Sequence, residues 1–297
     1  MSKQVGQNTL CVHSAHAPEP ATGALSQPIY LTTTFERGAD GGYPRGYRYS
    51  REGTPNRTSL EACIAALEGG IGAAAFASGL AANMAVLELL NAGDRLVAPL
   101  DAYYGSVKQF TEHVIHSGTK YLGGHSDVLS GLAVVREDHE LLEHLQAWQR
   151  TAGAALAPFD CWLLRRSIAT LALRVRTQCA GALQLAEFLA RHPAIEQVFY
   201  PGLPQHRAHA TAVTQMPGGF GAMLSVCVSG GRQAALETAS RTRLFARATS
   251  LGGVASLIEH RASIEGPESR TPQNLLRLSV GIEEPADLIA DLEQALE

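Results

Sequence analysis

This sequence has few lysines, short apolar runs and a negative net charge. Only three of its 24 basic residues are lysines, so arginine carries almost all of the positive charge. The apolar stretch 72–82 contains small or polar residues and falls short of the roughly 20 apolar residues that a membrane-spanning helix needs. The net charge of -4 supplies no positive field to attract nucleic acid or an anionic membrane. We therefore expect a globular protein whose partner is a small molecule.

Cysteine is also sparse. The five cysteines are widely spaced and contain no CxxC pair, the usual sign of zinc or thioredoxin-like chemistry, so we expect buried, small hydrophobic residues. The histidine pairs His113/His116 and His206/His209 lack a third acidic or cysteine ligand at metal-site spacing, and we expect no metal site. Residues 1–9 lack the apolar segment of a secretory signal, which predicts a cytoplasmic protein.

The order of apolar segments predicts an α/β protein. Residues 1–57 are rich in Gly, Pro, Thr and Tyr without a sustained period, which indicates an N-terminal arm, and such arms often reach a second subunit. Residues 58–157 alternate short strands with helices, the βαβ order of a parallel sheet. Residues 158–297 combine a long helix with separate strands, which predicts an α+β C-terminal domain.

Local signals place many of the elements. Thr58 and Glu61 form a capping-box pattern that predicts the start of a helix, and Gly69-Gly70 predicts its end. The N-terminal part is predicted to contain strands at 72–77, 95–100, 114–115 and 132–135, helices at 80–90 and 103–113, and a helical region at 155–190. The C-terminal part is predicted to contain strands at 197–200, 223–228 and 275–280 and helices at 232–240 and 285–296.

Two short segments predict a phosphate site and a reactive amine. The turn Ser78-Gly79-Leu80 offers backbone N–H groups at the start of a helix, where the dipole favours an anion. The alternative is a turn of small residues chosen for packing. In 116–120, two hydroxyl groups precede Lys120, whose amine can attack a carbonyl when burial or nearby cations lower its pKa; the alternative is an ordinary surface lysine. A nucleotide-binding protein is a weaker alternative, because GxGxxG and Walker patterns are absent.

These two segments belong to a longer series of motifs, which in chain order are TLCVHSAHAPEPATGALSQPIYLTTT, YRYSREGTP, ASGLAAN, DAYYGS, VIHSGTKYLGGHSDVLSG, YPGLPQH, TSLGGV and LLRLSVGIE. Together these motifs resemble the pyridoxal-phosphate (PLP) enzymes of cysteine and methionine metabolism, which include cystathionine gamma-synthase, cystathionine beta- and gamma-lyases, methionine gamma-lyase and the homoserine sulfhydrylases. The resemblance implies the PLP-dependent transferase-like fold of aspartate aminotransferase (fold type I). It also implies PLP as cofactor, a sulfur amino acid or activated homoserine as substrate, and a homodimer or homotetramer.

The resemblance implies roles for individual residues. Lys120 matches the lysine that binds PLP as an imine and later moves protons. Tyr103 matches a second catalytic residue, the tyrosine that stacks on the cofactor ring and can assist proton transfer. Ser250 and Arg277 match the groups that hold the substrate α-carboxylate, Arg277 by a bidentate pair. The phosphate is expected to contact Ser78, Gly79, Leu80, Ser117 and Thr119 of one subunit and Tyr49 and Arg51 of its neighbour.

Each of these assignments has a plainer alternative. Tyr103 can pack against the sheet without touching a cofactor. Arg51 can be a solvated surface charge, and Arg277 can form a structural ion pair within its strand.

One departure from the family is large. Only 17 residues separate Tyr103 from Lys120, whereas relatives insert several strands and helices there, which by length is two or three crossover units of about 30 residues each. In relatives this block carries the aspartate that pairs with the pyridine nitrogen and makes the ring an electron sink. Asp101 and Asp127 are the nearest carboxylates, and each belongs to another motif. The sequence thus leaves two hypotheses, a transsulfuration enzyme and a non-catalytic remnant that retains partial PLP binding.

Overall fold

A computed structural model of the protein describes residues 6–15, 17–38, 42–89, 114–265 and 270–297, with the backbone alone at 114 and 115. The chain divides into two compact units, residues 1–170 and 171–297. The domain limits read from the sequence, at 57/58 and 157/158, stay a prediction. Within the described ranges, no helix has both the length and the apolar character needed to cross a membrane.

The described part of the N-terminal unit contains helices around a three-stranded sheet. Residues 17–38 and 42–54 form turns and extended segments, joined by an isolated bridge between Thr34 and Tyr49. The sheet order is β1-β3-β2. The elements are α1 (Gln7–His13), α2 (Pro55–Glu68), β1 (Gly72–Phe76), α3 (Gly79–Leu87), β2 (Val114–Ser117), β3 (Gly131–Val135), α4 (His139–Ala152) and α5 (Pro158–Ile168).

The strand pairing in this sheet corrects a prediction. Both β1 and β2 pair antiparallel with β3, which lies between them, so the expected parallel pairing is wrong for these strands. For β2 and β3 the reason is the connection 118–130, which turns the chain back without the helical crossover that parallel neighbours need. The strand predicted at 95–100 and the helix predicted at 103–113 lie outside the described residues.

Small side chains form much of the core beside this sheet. Ala74 and Phe76 of β1 and Ala133 of β3 are fully buried and pack with Ala82 and Ala85 of α3. Alanine at these contacts leaves room for the helix backbone to lie close to the sheet. The cysteines agree with expectation, since four are buried, one is partly exposed and all are free thiols.

The first helix of the core, α2, begins earlier than its capping-box pattern predicts. Thr54 is the N-cap, and its hydroxyl accepts a hydrogen bond from the Arg57 N–H at 3.2 Å. Thr58 therefore lies inside the helix, and Glu61 accepts a hydrogen bond from a backbone N–H of β1 instead of completing a capping box. The predicted end is confirmed, because Gly69 is the C-cap and takes the left-handed φ of 66° that favours glycine.

The C-terminal unit is α+β, as predicted. Its five-stranded sheet has the order β4-β5-β8-β7-β6, with β6 and β7 parallel and the other pairs antiparallel. The strands and helices predicted for this unit agree with the structure to within two residues, whereas α7, α9, β6 and β7 were not predicted. In the N-terminal unit, α1 and α4 were not predicted either, and α1 lies in the segment expected to be an arm without regular structure. The predicted helical region 155–190 is interrupted between α5 and α6. The elements are α6 (Leu171–Leu189), β4 (Ile195–Phe199), α7 (His209–Gln215), β5 (Met223–Val228), α8 (Gly231–Arg241), β6 (Ala246–Arg247), β7 (Leu257–His260), α9 (Arg261–Glu265), β8 (Leu275–Ser279) and α10 (Pro285–Leu296).

Candidate active site

The turn between β1 and α3 presents the start of a helix, as the sequence predicts. Ser78 is the N-cap, and its Oγ accepts a hydrogen bond from the Ala81 N–H at 3.1 Å. The N–H groups of Gly79 and Leu80 belong to the first helical turn, where no carbonyl of the same helix can accept them. These two N–H groups are therefore suited to an anion, and the helix dipole adds to the attraction.

Strand β3 holds this turn through two glycines. A Cβ on Gly131 would lie 2.7 Å from Gly79 Cα and closer still to the carbonyl oxygen of Ser78, so the backbones touch here only because residue 131 lacks a side chain. Gly79 in turn faces Ser117, whose Oγ would lie 3.8 Å from a Cβ on Gly79. The structure thus brings together Ser78, Gly79 and Ser117, which stand in separate motifs of the sequence.

Lys120 lies in a hydrogen-bonded turn directly after β2. Its N–H donates to the Ser117 carbonyl at 3.2 Å, and its own carbonyl accepts from the Gly124 N–H at 2.7 Å. The Thr119 hydroxyl accepts from the Ser130 N–H at 2.9 Å and donates to the Ser130 carbonyl at 3.3 Å. Thr119 therefore ties the lysine turn to the residue that precedes β3, and its contact with a phosphate stays a prediction.

Ser130 is a polar residue of this region that the sequence reasoning missed. Its Oγ is fully buried and has no hydrogen-bond partner among the described residues. An unsatisfied buried hydroxyl costs about 1–3 kcal/mol. The Ser130 hydroxyl packs so closely on Gly118 that any Cβ at position 118 would collide with it. The only sequence signal is that Ser130 stands in the motif VLSG, which belongs to the resemblance.

Tyr49 and Arg51 lie together on the surface of the N-terminal unit. The guanidinium carbon of Arg51 is 5.0 Å from the centroid of the Tyr49 ring, a cation–π geometry. Both side chains are exposed. Beside them lies an open cleft of about 660 Å³, lined by Arg48, Arg51, Glu52, Arg150, Thr151 and Gly153. The Arg48–Glu52 ion pair neutralises two of these charges, so Arg51 and Arg150 leave the cleft positive.

In the C-terminal unit, the structure brings Ser250 and Arg277 into contact. Arg277 Nη2 donates to the Ser250 carbonyl at 2.8 Å and pairs with Glu259 Oε2 at 2.7 Å. Ser250 has a φ of 83°, a left-handed value that is rare outside glycine and that often marks functional sites. Burial lowers the pKa of Arg277, and the Glu259 carboxylate opposes that shift.

The charges around Arg277 leave it able to bind an anion. Glu259 is shared with Arg261, whose Nη1 lies 2.8 Å from the same oxygen, and Arg261 also pairs with Glu265 at 2.6 Å. Within the described part of the chain, Nη1 and Nε of Arg277 have no protein partner. The ion pair that the sequence reasoning weighed as an alternative is therefore present, and it leaves donors for a carboxylate.

The described residues fit one end of PLP better than the other. The glycine-lined turn, Ser117 and the buried orphan Ser130 hydroxyl beside the lysine turn suit the phosphate end and the point of attachment. For the pyridine nitrogen, Asp127 is exposed and Asp101 lies outside the described residues, as does Tyr103. No cluster of three potential metal ligands occurs in the described ranges.

Comparison with known proteins extends the likeness over nearly the whole chain. Cystathionine gamma-synthase of Mycobacterium bovis is 38% identical over 377 aligned positions, which cover 98% of this chain and 97% of the relative. Cystathionine beta-lyase of Coxiella burnetii is 35% identical, and the alignment covers 97% of this chain and 97% of the relative. The crystal structure of cystathionine gamma-synthase from Xanthomonas oryzae pv. oryzae, in complex with aminoacrylate and cysteine, superposes with a TM-score of 0.92 at 31% identity and 98% coverage of both chains.

The same comparisons are consistent with a missing internal block. The alignment of 377 positions is 80 longer than the chain of 297 residues, close to the predicted two or three crossover units. The sequence profile of the family matches in two parts, residues 8–114 and 112–297, which meet between Tyr103 and Lys120. With both parts matched and the fold shared, the chain belongs to the Cys/Met metabolism PLP-dependent enzyme family.

Proposed function

We propose that this protein is a PLP-dependent transsulfuration enzyme that eliminates or replaces a β or γ group of a sulfur amino acid or an activated homoserine. The observation that carries the proposal is the convergence of the Ser78-Gly79 turn, Ser117 and the Lys120 turn on one small sheet. Relatives named cystathionine gamma-synthase and cystathionine beta-lyase support the substrate class.

Different residues of the N-terminal unit would bind different parts of the cofactor. The N–H groups of Gly79 and Leu80 and the Ser117 hydroxyl would bind the phosphate, because hydrogen bonds to an ionised group are about twice as strong as neutral ones. The Lys120 amine would hold the cofactor covalently and, once released, take and return the substrate α-proton. PLP, when bound, supplies the electron sink for the resulting carbanion.

The C-terminal unit supplies the substrate anchor in this proposal. Arg277 would bind the α-carboxylate through its planar fork, and the Ser250 carbonyl that it contacts would keep the guanidinium oriented. Fixing the carboxylate limits the positions of the substrate amine and α-carbon, and such positioning contributes directly to rate.

We also propose that the active form is at least a homodimer, located in the cytoplasm. Tyr49 and Arg51 are exposed beside a positive cleft, which suits a role in the phosphate site of a neighbouring subunit. Mixed dimers test this arrangement. Lys120→Ala and Arg51→Ala variants should each be inactive alone. In a mixed dimer, one site takes Lys120 from the Arg51→Ala subunit and Arg51 from the Lys120→Ala subunit. That site carries neither change and should be active. A failure of mixing to restore activity, with exchange of subunits shown, would contradict the shared site.

The scarcity of lysine makes the site of covalent attachment easy to identify. The purified protein is incubated with PLP, its absorption spectrum is recorded, and borohydride is added to fix the cofactor to the amine that holds it. Peptide mapping then has only Lys3, Lys108 and Lys120 to distinguish. We expect the label on Lys120, its loss in Lys120→Ala, and its retention in the matched control Lys108→Arg.

Turnover separates the enzyme from the remnant hypothesis. A portion of the same PLP-incubated protein that has not been treated with borohydride is assayed with cystathionine, with methionine, and with a homoserine ester plus cysteine. Turnover of any of these supports the proposal, and the products distinguish elimination from replacement. Cofactor bound to Lys120 without turnover of any substrate would favour the non-catalytic remnant.

A further inference from the structure

Arg57 is a buried arginine that lies under the arm. Its side chain is 3% exposed, and buried arginines are rare unless their donors are paired. Two of its guanidinium nitrogens donate to consecutive backbone carbonyls, Nη1 to Ser50 at 3.1 Å and Nη2 to Arg51 at 3.0 Å. One rigid, planar group therefore sets both the position and the direction of the backbone that carries Arg51.

The other side of Arg57 faces Glu61. Its Nε lies 3.7 Å from Glu61 Oε1, and the same oxygen accepts from the backbone N–H of Ala75 at 2.9 Å and from Gln149 Nε2 at 3.0 Å. Gln149 also donates to the Ala75 carbonyl at 2.7 Å. Both polar groups of Ala75, in strand β1, are thus connected to Arg57 through two side chains.

This network joins two groups of residues that the proposed function assigns to phosphate, the Ser78 turn to the phosphate of its own subunit and Arg51 to that of the neighbour. Ala75 stands three residues before Ser78, so β1 leads directly into the turn that presents Gly79. At the other end of the network, the backbone carbonyls of Ser50 and Arg51 each accept one hydrogen bond from Arg57. The contacts are side chain to backbone at both ends, so they fix where the chain runs.

We propose that Arg57 is a positioning residue for the cofactor phosphate of the neighbouring subunit, because it holds the Arg51 segment in a fixed place relative to β1 of its own subunit. The inference rests on the proposed function for its ligand, and on the contacts above for its geometry. Lysine cannot replace arginine here, because one ammonium group lacks the fork that reaches two carbonyls and Glu61 together.

A matched control stands in the same unit. Arg165 is also buried and also donates to backbone carbonyls, those of Cys11 at 3.3 Å and Ser14 at 2.5 Å. It holds the end of α1, which carries no residue assigned to the cofactor. Arg57→Lys and Arg165→Lys therefore remove similar interactions, and only the first acts on a segment with a proposed binding role.

The first measurement is hydrogen exchange of the cofactor-free protein. Arg57→Lys is expected to speed exchange in residues 49–53, whereas Arg165→Lys is expected to speed exchange in residues 10–15 and leave 49–53 unchanged. Unchanged exchange at 49–53 in Arg57→Lys would overturn the proposal. Should Arg57→Lys fail to fold, Glu61→Gln takes its place, since it keeps the acceptor for Ala75 and weakens the hold on Arg57.

The second measurement is the dissociation constant for PLP, obtained by titration of the same variants. We expect about a tenfold increase for Arg57→Lys, the size of one lost charge-assisted hydrogen bond, and less than about a twofold change for Arg165→Lys. Equal weakening in both variants would show a general loss of stability and overturn the positioning role. Should the unchanged protein fail to bind PLP, the proposed function fails, and hydrogen exchange still decides whether Arg57 holds the arm.

Discussion

Substitution of Gly79 by alanine should separate cofactor binding from folding. Gly79 is the first residue of α3 and has an ordinary helical backbone, so alanine fits the conformation and removes a flexible residue from the helix. The added Cβ would make van der Waals contact with Ser117 Oγ at 3.8 Å and would meet nothing closer. The free energy of unfolding should therefore stay the same or rise by up to about 1 kcal/mol.

Binding of PLP should fall in the same variant. The Cβ would fill space between the turn and Ser117, where the phosphate is proposed to lie, and would push it away from at least one N–H. Loss of one hydrogen bond to a charged group costs about 1.5–3 kcal/mol, which is about a 10- to 150-fold rise in the dissociation constant. The assay is a titration of cofactor-free protein followed by absorbance, with urea unfolding measured on the same samples.

Two other glycines provide the comparison. Gly131→Ala should weaken both folding and binding, because its Cβ meets the backbone of the turn itself. Gly218→Ala should change neither, since nothing lies within 4 Å of a Cβ there. A Gly79→Ala variant that is folded and binds PLP as tightly as the unchanged protein would refute the placement of the phosphate between this turn and Ser117.

Three further predictions concern other parts of the molecule. Asp291 accepts hydrogen bonds from the backbone N–H groups of residues 243–245 at 2.8–3.2 Å, so Asp291→Asn should lower the free energy of unfolding by about 1.5–3 kcal/mol in urea denaturation. Burial raises the pKa of Glu61 in the folded protein, with Gln149 and Arg57 opposing. The free energy of unfolding of the unchanged protein, relative to that of Glu61→Gln, should therefore be greatest below a pH of about 4.3, the pKa of an unfolded glutamate. It should fall as the pH rises through the folded-state pKa. A rise with pH instead would show that Gln149 and Arg57 outweigh the effect of burial. Arg277→Lys should raise KM at least about tenfold and leave the spectrum of bound cofactor unchanged, and an unchanged KM would assign Arg277 to the ion pair alone.

Much of the local structure could be predicted because its cause is local. Gly69 ends α2 because its left-handed φ suits glycine, and Ser78 caps α3 with its own hydroxyl. Both boundaries are therefore determined by a few adjacent residues. Strands β4, β5 and β8 and helices α8 and α10 of the C-terminal unit follow from apolar periodicity in the same way. The proposal that Lys120 is the attachment point comes from family resemblance, since no spacing rule supplies it.

The tertiary structure decided what depends on partners far apart in the chain. The direction of β3 is set by pairing with strands on both sides, the close approach of Gly131 to Gly79 joins residues 52 positions apart, and Gln149 reaches Ala75 across 74. Thr54 caps α2 in place of the matching pattern at Thr58, because Pro55 starts the helix earlier. Periodicity describes which face of an element is buried, and it carries no information on which distant backbone group lies opposite; that is fixed only when the elements pack.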